Sequence, residues 1–69
     1  MKKFILTFDL HREMGTIKVR TLRELQKIDA SMIQFSMWRS ARLDELMKIA
    51  IEIKKSGGTA KILEERFLF

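Results

Sequence analysis

Residues 4–10 read Phe4-Ile5-Leu6-Thr7-Phe8-Asp9-Leu10. In an extended chain successive side chains point to opposite faces, so Phe4, Leu6, Phe8 and Leu10 share one side and Ile5, Thr7 and Asp9 the other. Both sides stay mostly apolar up to Asp9. A strand apolar on both faces belongs at the centre of a sheet, and residues 3–10 are assigned there. Downstream the hydrophobic period changes. Met14, Ile17, Leu22, Leu25 and Ile28 recur at helical spacing and form one stripe, which gives a helix over residues 16–28. Arg20, Arg23 and Lys27 fall on the opposite side at offsets of three and four. Gly15 costs about 1 kcal/mol inside a helix, so the start of this helix is open as far back as Arg12.

The period returns to two over residues 31–38. Ile33, Phe35 and Met37 face one way; Met32, Gln34, Ser36 and Trp38 face the other. This segment is a second strand, either straight or bent into two short ones near Ser36. Residues 42–56 are helical again. Leu43, Leu46, Met47, Ile49, Ala50, Ile51 and Ile53 make a wide apolar face, against Asp44, Glu45, Lys48, Glu52 and Lys55. Ser40 suits an N-cap, the two acids suit the first turn, and Gly57 suits the left-handed residue that ends a helix. Residues 59–68 resume a strand pattern and lead into Phe67-Leu68-Phe69, an apolar terminus that is costly to expose.

Strand, helix, one or two strands, helix, strand is an α+β order. It favours a ferredoxin-like arrangement of residues 1–69 as one domain, with two helices on one face of an antiparallel sheet. The other sheet face, with Ile5, Thr7 and Asp9, is left for a partner subunit to cover.

Composition points the same way. The chain has 69 residues, 46% of them hydrophobic and 33% charged, with a net charge of +5 and no Cys or Pro. That apolar share is globular rather than disordered. A chain of this size buries only about 60% of its unfolded surface, so it is marginal alone. With no disulfide available and a single His, oligomerisation is the remaining stabiliser. No apolar run approaches the ~20 residues of a membrane span. Met1-Lys2-Lys3 opens like a signal peptide, but Asp9, His11, Arg12 and Glu13 interrupt the apolar run and no cleavage site follows. The expectation is a soluble, cytoplasmic protein without membrane contact, too small for a deep private active site.

Two features carry chemistry. Asp9 closes an apolar strand, and a carboxylate there is expensive to bury without a partner. It can serve as a ligand to a divalent cation such as Mg²⁺, or as a cap or ion-pair partner to Arg12. One carboxylate is a weak metal site; two copies related by a two-fold axis make a better one. The second feature is charge asymmetry. Residues 1–28 hold seven Lys and Arg against three Asp and Glu, while residues 29–69 hold seven against six. The excess is concentrated in the first strand and first helix, and on the helix Arg20, Arg23 and Lys27 can track phosphates. A solvated helix face is the competing account. His11 can act as a base or ligand, or face solvent. Trp38 can stack on a base, or belong to core or interface. Ser36 lacks a nearby His, the five Met are core filler, and Gly57-Gly58 follows a helix instead of opening one, unlike a phosphate-binding loop.

The run Phe4–Leu10, a basic helix, and Ile33-Gln34-Phe35-Ser36-Met37-Trp38 together resemble the Cas-two family, the small CRISPR-associated adaptation proteins. They also resemble the related virulence-associated protein D group. In those families an apolar strand ends in an aromatic-Asp-aliphatic step, and the second strand carries Gln, any residue, Ser, an aliphatic and an aromatic. The resemblance implies a ferredoxin-like homodimer that binds DNA or RNA. Some members are metal-dependent endonucleases and others are non-catalytic subunits beside an integrase partner. It implies Asp9 as the catalytic and metal-binding acid, two copies of which would hold Mg²⁺ or Mn²⁺ across the dimer. It further implies Lys18, Arg20 and Arg23 on nucleic acid, which Lys27 of the helix stripe would join, and Ser36 near the dimer interface. Trp38, Phe67 and Phe69 are read as further interface residues from their apolar character. Arg39 departs from the family, which often has an acid there. The sequence also stops at Phe69, short of the family's usual C-terminal segment, which bears on integrase docking more than on the fold. A small adaptor dimer that binds another protein through its sheet face and apolar tail, with no nuclease activity, is the alternative.

Overall fold

The computed structural model describes residues 2–68. Six elements follow in order: β1 (Phe4–Asp9), α1 (Gly15–Lys27), β2 (Ser31–Gln34), β3 (Met37–Ser40), α2 (Leu43–Lys55) and β4 (Thr59–Glu64). The strands form one four-stranded sheet in the order β2-β3-β1-β4, antiparallel throughout. Central placement of β1 follows from its two apolar faces. The result is the ferredoxin-like α+β arrangement, in which β3 is inserted between β1 and β2.

Both helices cover one sheet face. Leu6 and Phe8 of β1, Trp38 of β3 and Ala60 of β4 meet Leu25 and Ile28 from the α1 region and Leu46, Ile49, Ala50 and Ile53 of α2 in a single core. Leu6, Leu25, Leu46 and Ile53 are fully buried. Trp38 is 8% exposed within this core, with its indole N–H unpartnered among the described residues.

The segment expected at 31–38 is a hairpin. Gln34 pairs with Met37 across the two residues Phe35 and Ser36, and the register shifts between Met32 and Gln34. Ser36 adopts φ 64°, and its carbonyl accepts the Phe8 N–H at 3.0 Å, which pins the turn to the end of β1. The last strand is shorter than the expected 59–68, although the Glu65 N–H still reaches the Lys3 carbonyl at 2.9 Å.

Both helices end alike. The Gly58 N–H bonds the Ile53 carbonyl and the Gly57 N–H bonds that of Lys54, with Gly57 at φ 96°. This six-to-one and five-to-two pair is a Schellman motif, and Gly57 is its left-handed residue as expected. After α1 the same pair runs from Ala30 to Leu25 and from Asp29 to Gln26, with Asp29 at φ 55° in the left-handed position. Ser40 does not cap α2. It closes β3, is buried, and its hydroxyl accepts the Arg42 N–H at 3.1 Å, forming a turn ahead of the helix. Asp44 and Glu45 do occupy the first turn of α2, where acids favour the positive end of the helix dipole.

Candidate functional site

On α1 the sequence places four basic residues, Lys18, Arg20, Arg23 and Lys27, against the single acid Glu24. A helix turns about 100° per residue, so Arg20, Arg23 and Lys27 lie within about 60° of one another, opposite the stripe that contributes buried Thr21 and Leu25. All three are exposed, and with Thr16, Val19 and Glu24 they border one shallow groove. Only Lys27 is engaged, with Glu24 at 3.3 Å; Arg20 and Arg23 have no ion-pair partner among the described residues. Lys18 stands about 140–180° from the stripe by the same geometry. It is exposed, but it does not extend the row. On α2, Lys48, Lys54 and Lys55 balance Asp44, Glu45 and Glu52, so α1 alone concentrates positive charge.

Asp9 ends β1 and is exposed on the uncovered sheet face. Its register partner is Thr59, and Thr7 stands opposite Lys61. Asp9 lines a shallow depression with Thr7, Thr59, Lys54 and Lys61, and among the described residues no second carboxylate lines it. The described residues contain no group of three His, Cys, Asp or Glu able to hold a metal ion. Within one chain, then, the donor set at this end of β1 is a single carboxylate among ammonium groups. That does not fit a divalent cation, which takes several oxygen ligands. A second chain would have to supply the rest. His11 is exposed in the turn after β1, where its backbone carbonyl accepts the Met14 N–H at 2.9 Å.

The four expected interface residues separate. Ser36 is half-buried at the hairpin tip. Trp38 must be corrected: its side chain points into the helix-covered core and leaves almost nothing for a second subunit to touch. Phe67 is 82% exposed and its neighbour Leu68 is 94% exposed, an unpacked apolar stretch. Phe69 lies outside the described residues.

The uncovered face carries a bond that periodicity does not reveal. Arg39 donates from Nε to Glu65 at 2.8 Å and places a terminal nitrogen 2.8 Å from the same oxygen. Ile5 lies directly opposite Arg39 on one side and Leu63 on the other, so the ion pair spans the end of the sheet beside them. Only the charge signs of Arg39 and Glu65 hint at the pair in the sequence. Lys54 and Lys61 beside Asp9 were equally hidden, because they come from α2 and β4 and meet β1 only through the fold.

Comparison with protein-family models gives no match, and comparison with curated proteins gives none either.

Proposed function

We propose that this protein is a homodimeric nucleic-acid-binding protein of the CRISPR-adaptation type, acting by gripping the phosphate backbone rather than by cutting it. The observation that carries this reading is the row Arg20, Arg23, Lys27: three cations on the solvent side of one helix, two of them without an ion-pair partner among the described residues. Such a row is suited to phosphates, which position a duplex or strand without reading its sequence. Binding is favoured over cleavage by what surrounds Asp9, since Lys54 and Lys61 attract anions to the place where a metal site would need to attract a cation. The resemblance of residues 4–10 and 33–38 to the adaptation family supports the same class of partner.

The test is fluorescence anisotropy with a labelled duplex, a single-stranded DNA and an RNA across a salt series. Each neutralised duplex phosphate contributes about 0.9 to the slope of log affinity against log salt, so three contacts give about −3 per chain. The variant Arg20→Gln/Arg23→Gln/Lys27→Gln should lose most of the affinity and most of that slope. Equal binding by the variant, or affinity indifferent to salt, refutes the reading.

A further inference from the structure

The geometry points to the outer edge of β4, with the flank of α2 that overhangs it, as the surface through which two copies of this chain join into one continuous eight-stranded sheet. β4 is an edge strand. The Glu65 N–H bonds the Lys3 carbonyl, and the register continues Leu63 with Ile5 and Lys61 with Thr7. In an antiparallel pair every second residue exchanges both backbone bonds with its neighbour. The odd residues of β4 are therefore spent on β1, and Ala60, Ile62 and Glu64 present N–H and C=O groups outward. Three outward-facing residues on an edge strand, unpaired among the described residues, are a template for another strand.

Directly above that edge, α2 turns an apolar flank away from α1. Leu43, Met47 and Ile51 follow one another at four-residue spacing, and with Ile62 and Leu63 they line one groove. Met47 is 48%, Ile51 49% and Leu63 51% exposed. Met47 and Ile51, two of the seven residues on the wide apolar face of this helix, thus stand half-exposed beside the strand edge.

A second copy fits this surface through its own symmetry. Outward-facing residues must pair with outward-facing residues, so a two-fold axis can fall on Lys61, Ile62 or Leu63. An axis on Lys61 stacks like charges. An axis on Ile62 sets Ile62 against itself, and one on Leu63 sets Leu63 against itself and Lys61 opposite Glu65. Both allowed registers put an apolar residue at the centre and bring the two α2 flanks together. The surface is self-complementary, as an isologous interface requires. The open sheet face offers less, because Arg39 and Glu65 already satisfy each other across it. About ten residues per copy line the edge surface, below the 20–30 of a standard interface, so the association should be weak and needs to be measured at tens of micromolar or more.

Sedimentation equilibrium of the full chain, without nucleic acid, tests the inference independently of the binding reading. The wild type should show twice the 8.2 kDa chain mass. Ile51→Glu, at a half-exposed helix position, and Glu64→Pro, which removes an outward donor at the strand edge, should each weaken dimerisation at least tenfold while keeping the wild-type circular dichroism. The chain has no native cysteine, so single-cysteine variants report directly: under mild oxidant Leu63→Cys should crosslink with the axis on Leu63, Ile62→Cys with the axis on Ile62, and Ile5→Cys in neither register. A monomeric wild type overturns the inference. So does a dimer that both edge variants leave intact, one that crosslinks through Ile5→Cys instead, or one lost only when residues 67–69 are removed.

Discussion

Gly58 is the position where one added methyl group should do the most damage. It follows the left-handed Gly57 and brings the end of α2 against the end of β1. A Cβ built on it would stand 2.7 Å from Leu10 Cδ2, 2.8 Å from the Asp9 carbonyl oxygen and 2.9 Å from Ile53 Cγ2. Leu10 can move, being only partly buried. The Asp9 carbonyl cannot, because it belongs to the strand paired with Thr59, and Ile53 is fully buried. Overpacking of this kind costs about 1–3 kcal/mol. Replacing Gly also removes freedom from the unfolded chain, which returns about 0.4–1 kcal/mol. The net expectation for Gly58→Ala is destabilisation of about 1–2 kcal/mol, a fall in Tm of roughly 4–16 °C for a chain of this length. Thermal unfolding by circular dichroism at fixed protein concentration measures it. Gly15→Ala is the control, because its Cβ would meet nothing within 4 Å and it starts a helix. It should be neutral or stabilising. If Gly58→Ala melts no lower than wild type, the close approach between the α2 terminus and Asp9 is not a real constraint.

Asp29→Gly should raise stability by about 1 kcal/mol in the same melt, since it relieves a left-handed non-glycine residue and removes a negative charge from the negative end of α1. Arg39→Ala should lower it by about 1–3 kcal/mol, because Glu65, only 12% exposed at its side chain, is left without its charged donor. Asp9→Asn should leave nucleic-acid retention and its salt slope unchanged; Mg²⁺-dependent cleavage by the purified wild type that disappears in this variant would overturn the choice of binding over cutting.

The fold was legible wherever burial followed a clean period. Phe4, Leu6 and Phe8 announce the core side of β1, and Leu46, Ile49 and Ile53 that of α2, because burial selects the same residue types at the same spacing in sequence and in space. The hairpin at Phe35-Ser36 was legible only as a bend. A turn that requires positive φ is normally marked by Gly or Asn, and here Ser36 takes it without the usual marker. Asp29 likewise takes a left-handed position without the usual marker, yet the apolar period alone placed the end of α1 within one residue. Of the candidate site, the row on α1 could be read, since it lies on one helix. The company of Asp9 could not: Lys54 and Lys61 are 45 and 52 residues away in sequence by simple subtraction, and only the β1–β4 register and the α2 terminus bring them near. Trp38 stayed open between core and interface in the sequence because an aromatic in an alternating segment can point to either face. Pairing with Leu6 settled which.

The edge-paired dimer and the basic row on α1 constrain each other. A two-fold axis normal to a continuous sheet keeps both helix layers on the same side, so the two rows would face one ligand. α2 lies over β4 and β1, and α1 packs beside α2 on the flank away from the edge. With strands about 4.8 Å apart and packed helices about 8–10 Å apart, each α1 axis falls about 13–15 Å from the two-fold, and the two rows about 26–30 Å from each other. One turn of B-form duplex repeats every 34 Å or so. Two rows at that spacing can reach phosphates on successive turns, doubling the contacts to about six and the salt slope to about −5. The two Asp9 carboxylates, by contrast, sit beyond Thr59, three or four residues along the strand from the axis. That holds them more than about 20 Å apart, too far to share one ion. Dimerisation through the edge therefore strengthens backbone binding and keeps the two acids separate. The Ile51→Glu protein should accordingly bind long duplex with about half the wild-type salt slope, whereas an unchanged slope would mean that the two rows never act on one duplex.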